Sequence, residues 1–140
     1  MFHLRITTLE RVVFDEETES VTLPGVTGEF TVLSGHIPFI TSLKLGEITA
    51  RNKAGEFFMG VSGGMAEVTG ERVLVLADQA ERAEEIDEQL AEEARNRAEA
   101  LMSEKRGSGE VFAAAEAELQ QSLLRLKIAR KHRTKKSVTH

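Results

Sequence analysis

The sequence predicts an N-terminal antiparallel β-sandwich of about ten strands, followed by a C-terminal antiparallel helical hairpin. Three observations support this fold class. Short segments with a two-residue apolar period fill the chain up to about residue 80, and no glycine or proline occurs between Ala80 and Gly107. In this second part apolar residues recur every three or four positions, and a Gly-Ser-Gly stretch separates two such patterns. We therefore predict a β-sandwich domain over residues 1–80 and a helix-turn-helix domain over residues 81–140.

The first 80 residues consist of short segments typical of strands. In FHLRIT, Phe2, Leu4 and Ile6 alternate with polar residues, which is the period of a half-buried strand. Seven further segments are rich in β-branched or aromatic residues: ESVTL, EFTVL, TSLKL, EITAR, EFFMGV, MAEVT and RVLVLA. Both prolines and nine of the eleven glycines fall in the first 70 residues, where they mark turns. Short strands with no helix between them are typical of a sandwich or a flattened barrel.

After Ala80 the apolar period becomes helical. The first apolar stripe consists of Ile86, Leu90, Ala94, Ala98 and Leu101. Asp87 is suited to cap or begin this helix, because the helix dipole favours an acid there. The stretch RGSGE then interrupts the pattern, and a second stripe consists of Phe112, Ala115, Leu119, Leu123 and Leu126. Two helices joined by a short turn form an antiparallel hairpin, and the many alanines would let them approach closely.

Charge is unevenly distributed in the hairpin. Residues 81–124 carry twelve acids and five bases, whereas residues 125–140 carry seven bases and no acid. In a folded hairpin the basic end of the second helix would lie beside Glu84, Glu85 and Glu88. Two interpretations remain open from charge alone. The basic end either neutralises these acids and suits a helix C-terminus, or it leaves them and binds an acidic surface elsewhere.

Composition excludes several classes of protein. The net charge of −5 gives no general case for nucleic-acid binding, so no nucleic-acid partner is predicted. The absence of cysteine excludes disulfides and cysteine zinc sites. The start MFHLRITTLERVVFDEE lacks the pattern of a signal segment, and no apolar run approaches the ~20 residues that span a bilayer. Any membrane association is therefore expected only through a partner.

The sequence lacks the known catalytic and metal-binding motifs, which predicts a protein that is not an enzyme. The four histidines show no metal-binding spacing: His3, His36, His132 and His140. The stretch GVSGGMAEVTG lacks the spacing of a phosphate-binding loop, and Ser62 lies in no G-x-S-x-G elbow. No cofactor, metal site or catalytic residue is predicted.

Two segments resemble a known family. They are LPGVTGEFTVLSGHIPFITSLKLGEI and GVSGGMAEVTGERVLVLAD, and an acidic-to-basic helical hairpin follows them. Together they closely resemble the epsilon subunit of bacterial F-type ATP synthase, over the whole chain and in the same order. The patterns G-E-x-x-V-L-x-G-H-x-P and S-G-G-x-x-E-V make the resemblance specific. It implies a ten-stranded β-sandwich and a C-terminal helix-turn-helix, in agreement with the fold predicted from the residues.

The resemblance also implies a function. Members of the family lie at the foot of the central stalk, bound to the gamma subunit and the c-ring, and rotate with them. The chain is thus expected to be a non-catalytic rotor subunit of a proton- or sodium-translocating synthase. It would couple rotation to ATP synthesis and inhibit ATP hydrolysis through its C-terminal helices, as a peripheral protein at the cytoplasmic face of the bacterial plasma (inner) membrane. The alternative is a free-standing adaptor whose sandwich and hairpin dock unrelated partners.

The resemblance assigns the rotor contact to one segment of the sandwich. By this resemblance Glu29 faces the polar loops of the c-ring, and His36 and Pro38 lie near the contact with gamma and the c-ring. Gly28 and Gly35 allow tight turns, and Pro38 restricts its neighbour to extended geometry. In the alternative interpretation Gly35 and Pro38 only shape a turn, and His36 is an ordinary exposed side chain.

The resemblance assigns inhibition to the basic end of the second helix. In the family this helix can extend into the catalytic head and meet an acidic segment of the beta subunit, beside alpha. The residues expected to make these contacts are Arg125, Arg130, Lys131 and Arg133.

Some family members also bind ATP, through a motif I/L-D-x-x-R-A and arginines of the second helix. Four remnants of this site are present: Ile86, Asp87, Ala91 and Arg125. The motif's arginine is replaced by Leu90, and an expected arginine of the second helix is replaced by Gln121. Each lost charge-assisted contact to a polyanion is worth ~1.5–3 kcal/mol, which argues against ATP binding.

Overall fold

The computed structural model describes the backbone of residues 1–104 and 109–138, and the side chains of residues 1–104 and 109–135. The protein divides into two compact units. The first is Met1–Ala83, and the second begins at Glu84.

The first unit is a single ten-stranded sheet that curves into a sandwich. Its strands are β1 (Phe2–Thr7), β2 (Val12–Thr18), β3 (Ser20–Gly25), β4 (Gly28–Leu33), β5 (Phe39–Leu43), β6 (Gly46–Asn52), β7 (Gly55–Val61), β8 (Gly64–Val68), β9 (Arg72–Ala77) and β10 (Ala80–Arg82). Their order is β10-β7-β6-β3-β5-β8-β9-β1-β2, with β4 paired to β3. The pairs are antiparallel except β1 with β9, which is parallel. The predicted fold class is confirmed.

Two of these strands were not identified among the predicted segments. In β2 the acids Asp15, Glu16 and Glu17 lie on an exposed stretch and conceal the strand pattern, although Phe14 is only 2% exposed. The other is β10, which has only three residues. Both end the sheet order, so each pairs along one side only.

The sandwich encloses one apolar core. The alternation predicted for β1 is observed, because Phe2, Leu4 and Ile6 are all buried. They join large side chains from other strands: Phe14, Leu23, Ile48, Met59 and Val75. Burial of such side chains stabilises the fold by ~1.5–3 kcal/mol each.

The second unit contains two antiparallel helices, α1 (Glu88–Glu104) and α2 (Gly109–Val138), after a single 3₁₀ turn at Ala83–Glu85. The Asp87 carboxylate caps α1 as predicted, because its Oδ1 accepts the Leu90 N–H at 3.1 Å. The Arg97 guanidinium lies 3.8 Å from the Glu118 carboxylate on the opposite helix.

The contact between the helices differs in part from the predicted stripes. The buried residues of the two helices are Ala91, Ala98, Ala115, Ser122, Leu126 and Ile128. Ile128 lies on the side of α2 opposite Leu126, because residues two apart are rotated by about 200°. The prediction is wrong for Leu90, Leu101 and Leu123, which are 57%, 38% and 41% exposed. Alanines seven residues apart face α2 instead, because small side chains allow the two backbones to approach closely.

Candidate functional site

The segment of residues 28–38 begins at the tight hairpin between β3 and β4. Gly25 pairs with Gly28 and Pro24 pairs with Glu29, so only two residues form the loop. Gly28 has a φ of 140°, a conformation that favours glycine. A Cβ atom on Gly25 would lie 2.8 Å from the Gly28 carbonyl oxygen, so the close approach also requires glycine. This hairpin fixes Glu29 at the start of β4, with its side chain exposed.

The 28–38 segment contains a second tight turn near its end. The His36 N–H donates to the Leu33 carbonyl at 3.2 Å, and Gly35 has a φ of 79°. A positive φ at this position is what a type II turn requires. The Gly35 N–H donates to the Gly70 carbonyl at 3.3 Å, in the turn between β8 and β9. Two backbone hydrogen bonds therefore hold the approach to Pro38.

His36 lies against a pair of aromatic rings. Its ring centroid is 5.5 Å from that of Phe39, and the Phe39 centroid is 5.3 Å from that of Phe30 in an edge-on arrangement. His36 is half-buried, whereas Pro38 is exposed and Ile37 is 79% exposed. Phe39 thus restricts the orientation of the imidazole, and His36 is partly packed rather than fully exposed.

Glu29 and His36 do not interact with each other on this segment. Because side chains alternate along a strand, Glu29 points to the face opposite Phe30, the residue that reaches the aromatic pair. No hydrogen bond or ion pair joins Glu29 to His36 within the described part of the chain. The carboxylate of Glu29 is therefore available to a partner without disturbing the turn that holds His36.

The basic end of α2 forms ion pairs with the acidic start of α1. The Arg130 Nη2 atom lies 3.1 Å from Glu92 Oε1, and its Nε atom lies 3.6 Å from Glu88 Oε1. The Arg133 Nη1 atom donates to Glu88 Oε2 at 2.7 Å. The predicted proximity of opposite charges is thus confirmed for Glu88, and Glu92 is a further partner that the sequence did not indicate.

The other two predicted basic contacts differ in exposure. Arg125 is half-buried, and Lys131 is exposed. They lie on the same helix as Arg130 and Arg133, so all four cations predicted for inhibition belong to one element.

The chain matches two family descriptions in succession. Residues 1–83 match "ATP synthase, Delta/Epsilon chain, beta-sandwich domain", and residues 84–130 match "ATP synthase, Delta/Epsilon chain, long alpha-helix domain". The chain belongs to the ATP synthase delta/epsilon family.

Relatives in several bacteria agree with this membership. The chain is 48% identical over 130 residues to the ATP synthase epsilon chain of Dehalococcoides mccartyi, with 93% of each chain covered. It is 45% identical over 128 residues to the ATP synthase epsilon chain of Moorella thermoacetica, covering 91% of this chain and 95% of the relative.

Two solved structures share the fold. A chain of the Euglena gracilis mitochondrial ATP synthase (OSCP/F1/c-ring) matches with a TM-score of 0.65 at 24% identity, covering 99% of this chain and 81% of that one. A chain of the Tetrahymena thermophila mitochondrial ATP synthase (central stalk and c-ring) matches with a TM-score of 0.54 at 13% identity, covering 91% and 96%. At these identities the two structures support the fold alone.

Membership in the delta/epsilon family determines the class of protein. The chain is a non-catalytic subunit of ATP synthase with a role in its rotor, which removes the alternative of a free-standing adaptor. Neither helix in the described part of the chain combines the length and the apolar character of a membrane span. Nor do the described side chains include a group of three or more potential metal ligands.

The four remnants of the nucleotide motif found in some members of the family have other surroundings here. Asp87 uses one carboxylate oxygen to cap α1, and its carbonyl accepts the Ala91 N–H at 3.0 Å. The Ala91 side chain is fully buried in the contact between the helices. Ile86 and Arg125 are half-buried. Three of these four residues precede or begin α1, and only Arg125 lies on α2.

Sequence reasoning missed one polar cluster on the sandwich. The His3 Nδ1 atom lies 3.0 Å from Glu17 Oε1, and Nε2 contacts Asp15, so the protonated ring donates to both carboxylates. Hydrogen bonds to Glu17 and then to Asp15 raise the pKa of His3 above its ordinary value. The alternation in β1 places His3 on the outer face, but its partners lie on β2, the strand that was not identified.

Proposed function

We propose that the two units of this chain perform two tasks in a bacterial ATP synthase. The sandwich binds the gamma subunit and the c-ring through the 28–38 segment, with Glu29, His36 and Pro38 in the contact. The hairpin inhibits ATP hydrolysis when α2 extends toward the catalytic head, where its basic end meets the beta subunit and its neighbour alpha. The chain thereby couples rotation to ATP synthesis and restrains the reverse reaction.

Support for the rotor contact comes from the rigidity of the 28–38 segment. Tight turns at Gly28 and Gly35 hold it at two points, and the ring of Phe39 orients His36. Polar side chains on turns that a rigid scaffold holds are typical of binding surfaces. The exposed carboxylate of Glu29 is suited to polar or cationic groups of a partner.

The rotor contact can be tested by reversing the charge of Glu29. Glu29→Lys is expected to lower ATP-driven ion pumping by membranes that carry the reconstituted complex, because a cation replaces the carboxylate at the contact. Glu10→Lys is the matched control, since Glu10 is also exposed but lies in the turn between β1 and β2. Equal pumping by the two variants would exclude Glu29 from the contact.

Support for inhibition comes from the length and charge of α2. The helix has 30 residues, which corresponds to ~45 Å at 1.5 Å per residue. Seven bases follow Leu124 and no acid accompanies them. A helix of this length with a cationic end can reach an acidic surface well beyond the unit that carries it, with an attraction that salt screens over ~8 Å.

Inhibition can be tested with a variant that keeps the buried apolar residues of the hairpin. The triple variant Arg130→Gln, Lys131→Gln and Arg133→Gln removes charge but keeps the buried Leu126 and Ile128. The complex with this variant is expected to assemble normally and to hydrolyse ATP several-fold faster, by the usual strength of charge-assisted contacts. Hydrolysis at the wild-type rate would exclude an inhibitory role for these three cations.

The location of the chain in the cell follows from its place in the ATP synthase complex. We propose that the chain works at the cytoplasmic face of the bacterial inner membrane, and that it meets the membrane only through the other subunits. The relatives named above are ATP synthase epsilon chains of bacteria, which supports this location. Fractionation of cells should recover the chain with membranes, and should release it together with the gamma subunit when the complex is stripped from them.

A further inference from the structure

We propose that Glu88 and Glu92 act as an internal competitor for the arginines that inhibit hydrolysis. The same Arg130 and Arg133 side chains that would meet an acidic surface of the catalytic head are held on α1 by these two glutamates. Glu88 thus sets the balance between the closed hairpin and the inhibitory state. This inference rests on the proposed inhibitory function and assigns its regulation to named residues.

Three ion pairs lie at the open end of the hairpin, which is the end opposite the connecting loop, where α1 begins and α2 ends. Arg133 binds Glu88 Oε2 at 2.7 Å, and Arg130 lies 3.6 Å from Glu88 Oε1 and 3.1 Å from Glu92 Oε1. Arg130 and Arg133 are three residues apart, so they lie on one face of α2 and turn together toward α1. A guanidinium engaged with these carboxylates is neutralised, and it cannot reach a distant acidic surface while the hairpin is closed.

The carboxylate of Glu88 is only partly satisfied in the closed hairpin. Its Oε1 atom is buried and accepts no hydrogen bond from any described residue. The Arg130 Nε atom, at 3.6 Å, is too distant for a direct hydrogen bond. A buried acceptor without a donor disfavours the closed state, and opening the hairpin would return this atom to water. The ion pairs therefore favour the closed hairpin, and the unsatisfied oxygen partly offsets this effect.

The apolar contact between the helices is small enough for these charges to matter. Four of the six buried residues of α1 and α2 are alanine or serine: Ala91, Ala98, Ala115 and Ser122. The arginine side chains are 46% and 65% exposed, and an exposed ion pair changes an equilibrium by less than about fivefold. If the closed and open hairpins have similar free energies, the two ion pairs of Glu88 and the one of Glu92 are sufficient to shift the equilibrium between them. Salt would weaken all three pairs.

The first experiment measures hairpin opening in the isolated full-length chain. The chain has no cysteine, so Asn96→Cys and Gln120→Cys, at exposed positions of α1 and α2, can carry spin labels without background. Glu88→Gln is expected to raise the ratio of long to short label distances by about 3- to 10-fold, from the loss of two exposed pairs. The increase should shrink when the salt concentration approaches 1 M.

The matched control is Glu93→Gln, because Glu93 is exposed on the same helix and forms no ion pair with any described residue. If Glu88→Gln and Glu93→Gln give the same distance distribution, Glu88 does not hold the hairpin closed and the proposed competition is excluded. Circular dichroism of each variant verifies that both helices still form.

The second experiment compares the two partners of one ion pair in the intact complex. Both Glu88→Gln and Arg133→Gln break the pair, but only Arg133→Gln also removes a cation from the inhibitory contact. Glu88→Gln should therefore lower ATP hydrolysis about threefold or more, and Arg133→Gln should raise it. Changes in the same direction would overturn the competition.

The two experiments separate this inference from the proposed function on which it rests. If Glu88→Gln opens the isolated hairpin but neither variant changes hydrolysis, Glu88 does hold the hairpin and the inhibitory role of α2 is wrong. If the triple cation variant releases hydrolysis but Glu88→Gln opens nothing, inhibition stands and the competitor is overturned.

Discussion

Different interactions stabilise the sandwich and the hairpin, each within itself. The sandwich buries large side chains from most of its strands, and Leu4, Ile6, Ile48 and Met59 have no exposed surface. The hairpin buries mostly small residues between its helices, and it adds ion pairs at its open end. One unit is therefore suited to present a fixed surface, and the other is suited to change its conformation.

The difference follows from how much apolar surface each unit removes from water. Burial contributes ~25 cal/mol per Å² of apolar area, so a leucine or phenylalanine contributes several times more than an alanine. The alanines of the hairpin allow a close approach of the two helices but supply little of this energy. Elements with few buried contacts open first, which is what a regulatory element requires.

The largest expected effect is in the sandwich core. Leu4→Ala should lower the free energy of unfolding by ~2–5 kcal/mol, because it leaves a cavity beside rigid strands. Urea unfolding followed by circular dichroism is the suitable measurement, since the chain has no tryptophan or tyrosine for fluorescence. Leu9→Ala, at a fully exposed leucine, should change stability by less than ~0.5 kcal/mol. A loss below 1 kcal/mol for Leu4→Ala would contradict the picture of a tightly packed sandwich.

The next effect should be local to the hairpin. Leu126 is 2% exposed in the contact between α1 and α2, so Leu126→Ala should destabilise the closed hairpin by ~2 kcal/mol, the low end for buried leucine. Hydrogen exchange measured by mass spectrometry should show faster exchange in α1 and α2 and unchanged exchange in the strands. Leu123→Ala is the control, because Leu123 is 41% exposed on the same helix. Faster exchange in the strands as well would mean that the two units unfold together.

The sequence predicted the sandwich better than it predicted the hairpin contact. Alternation in β1 identified Phe2, Leu4 and Ile6 as core residues, because strand periodicity states directly which side chains face inward. In α1 helical periodicity placed Leu90 on the predicted apolar stripe and left out Ala91, which is fully buried. Close helix packing favours the smaller residue, and that preference depends on the distance between the helices, which periodicity does not contain.

Polar partners were predicted only where charge segregation was strong. The run of bases after Leu124 indicated that the end of α2 would meet the acids of α1, and the Arg133–Glu88 pair bears this out. The aromatic contact between His36 and Phe39 follows from a turn geometry that one histidine in a sequence cannot specify. The rotor and inhibitory roles of these residues stay predictions.

The smallest effect concerns the cluster of His3, Asp15 and Glu17 on the outer face of the sandwich. Because Glu17 and Asp15 raise the pKa of His3, the protonated imidazole stabilises the folded state. This contribution is complete below pH 6.5, the ordinary value for an unfolded histidine, and is lost as the pH rises through the higher pKa of the folded state. Partial burial of the ring opposes this effect, and the His3 side chain is 38% exposed, so the contribution should stay below ~1 kcal/mol. Urea unfolding at pH 5.5 and 8.5 should therefore show wild type losing more stability than His3→Gln between the two values, and Glu17→Gln should reduce that difference. Identical pH profiles for wild type and His3→Gln would mean that the cluster contributes nothing to the stability of the sandwich.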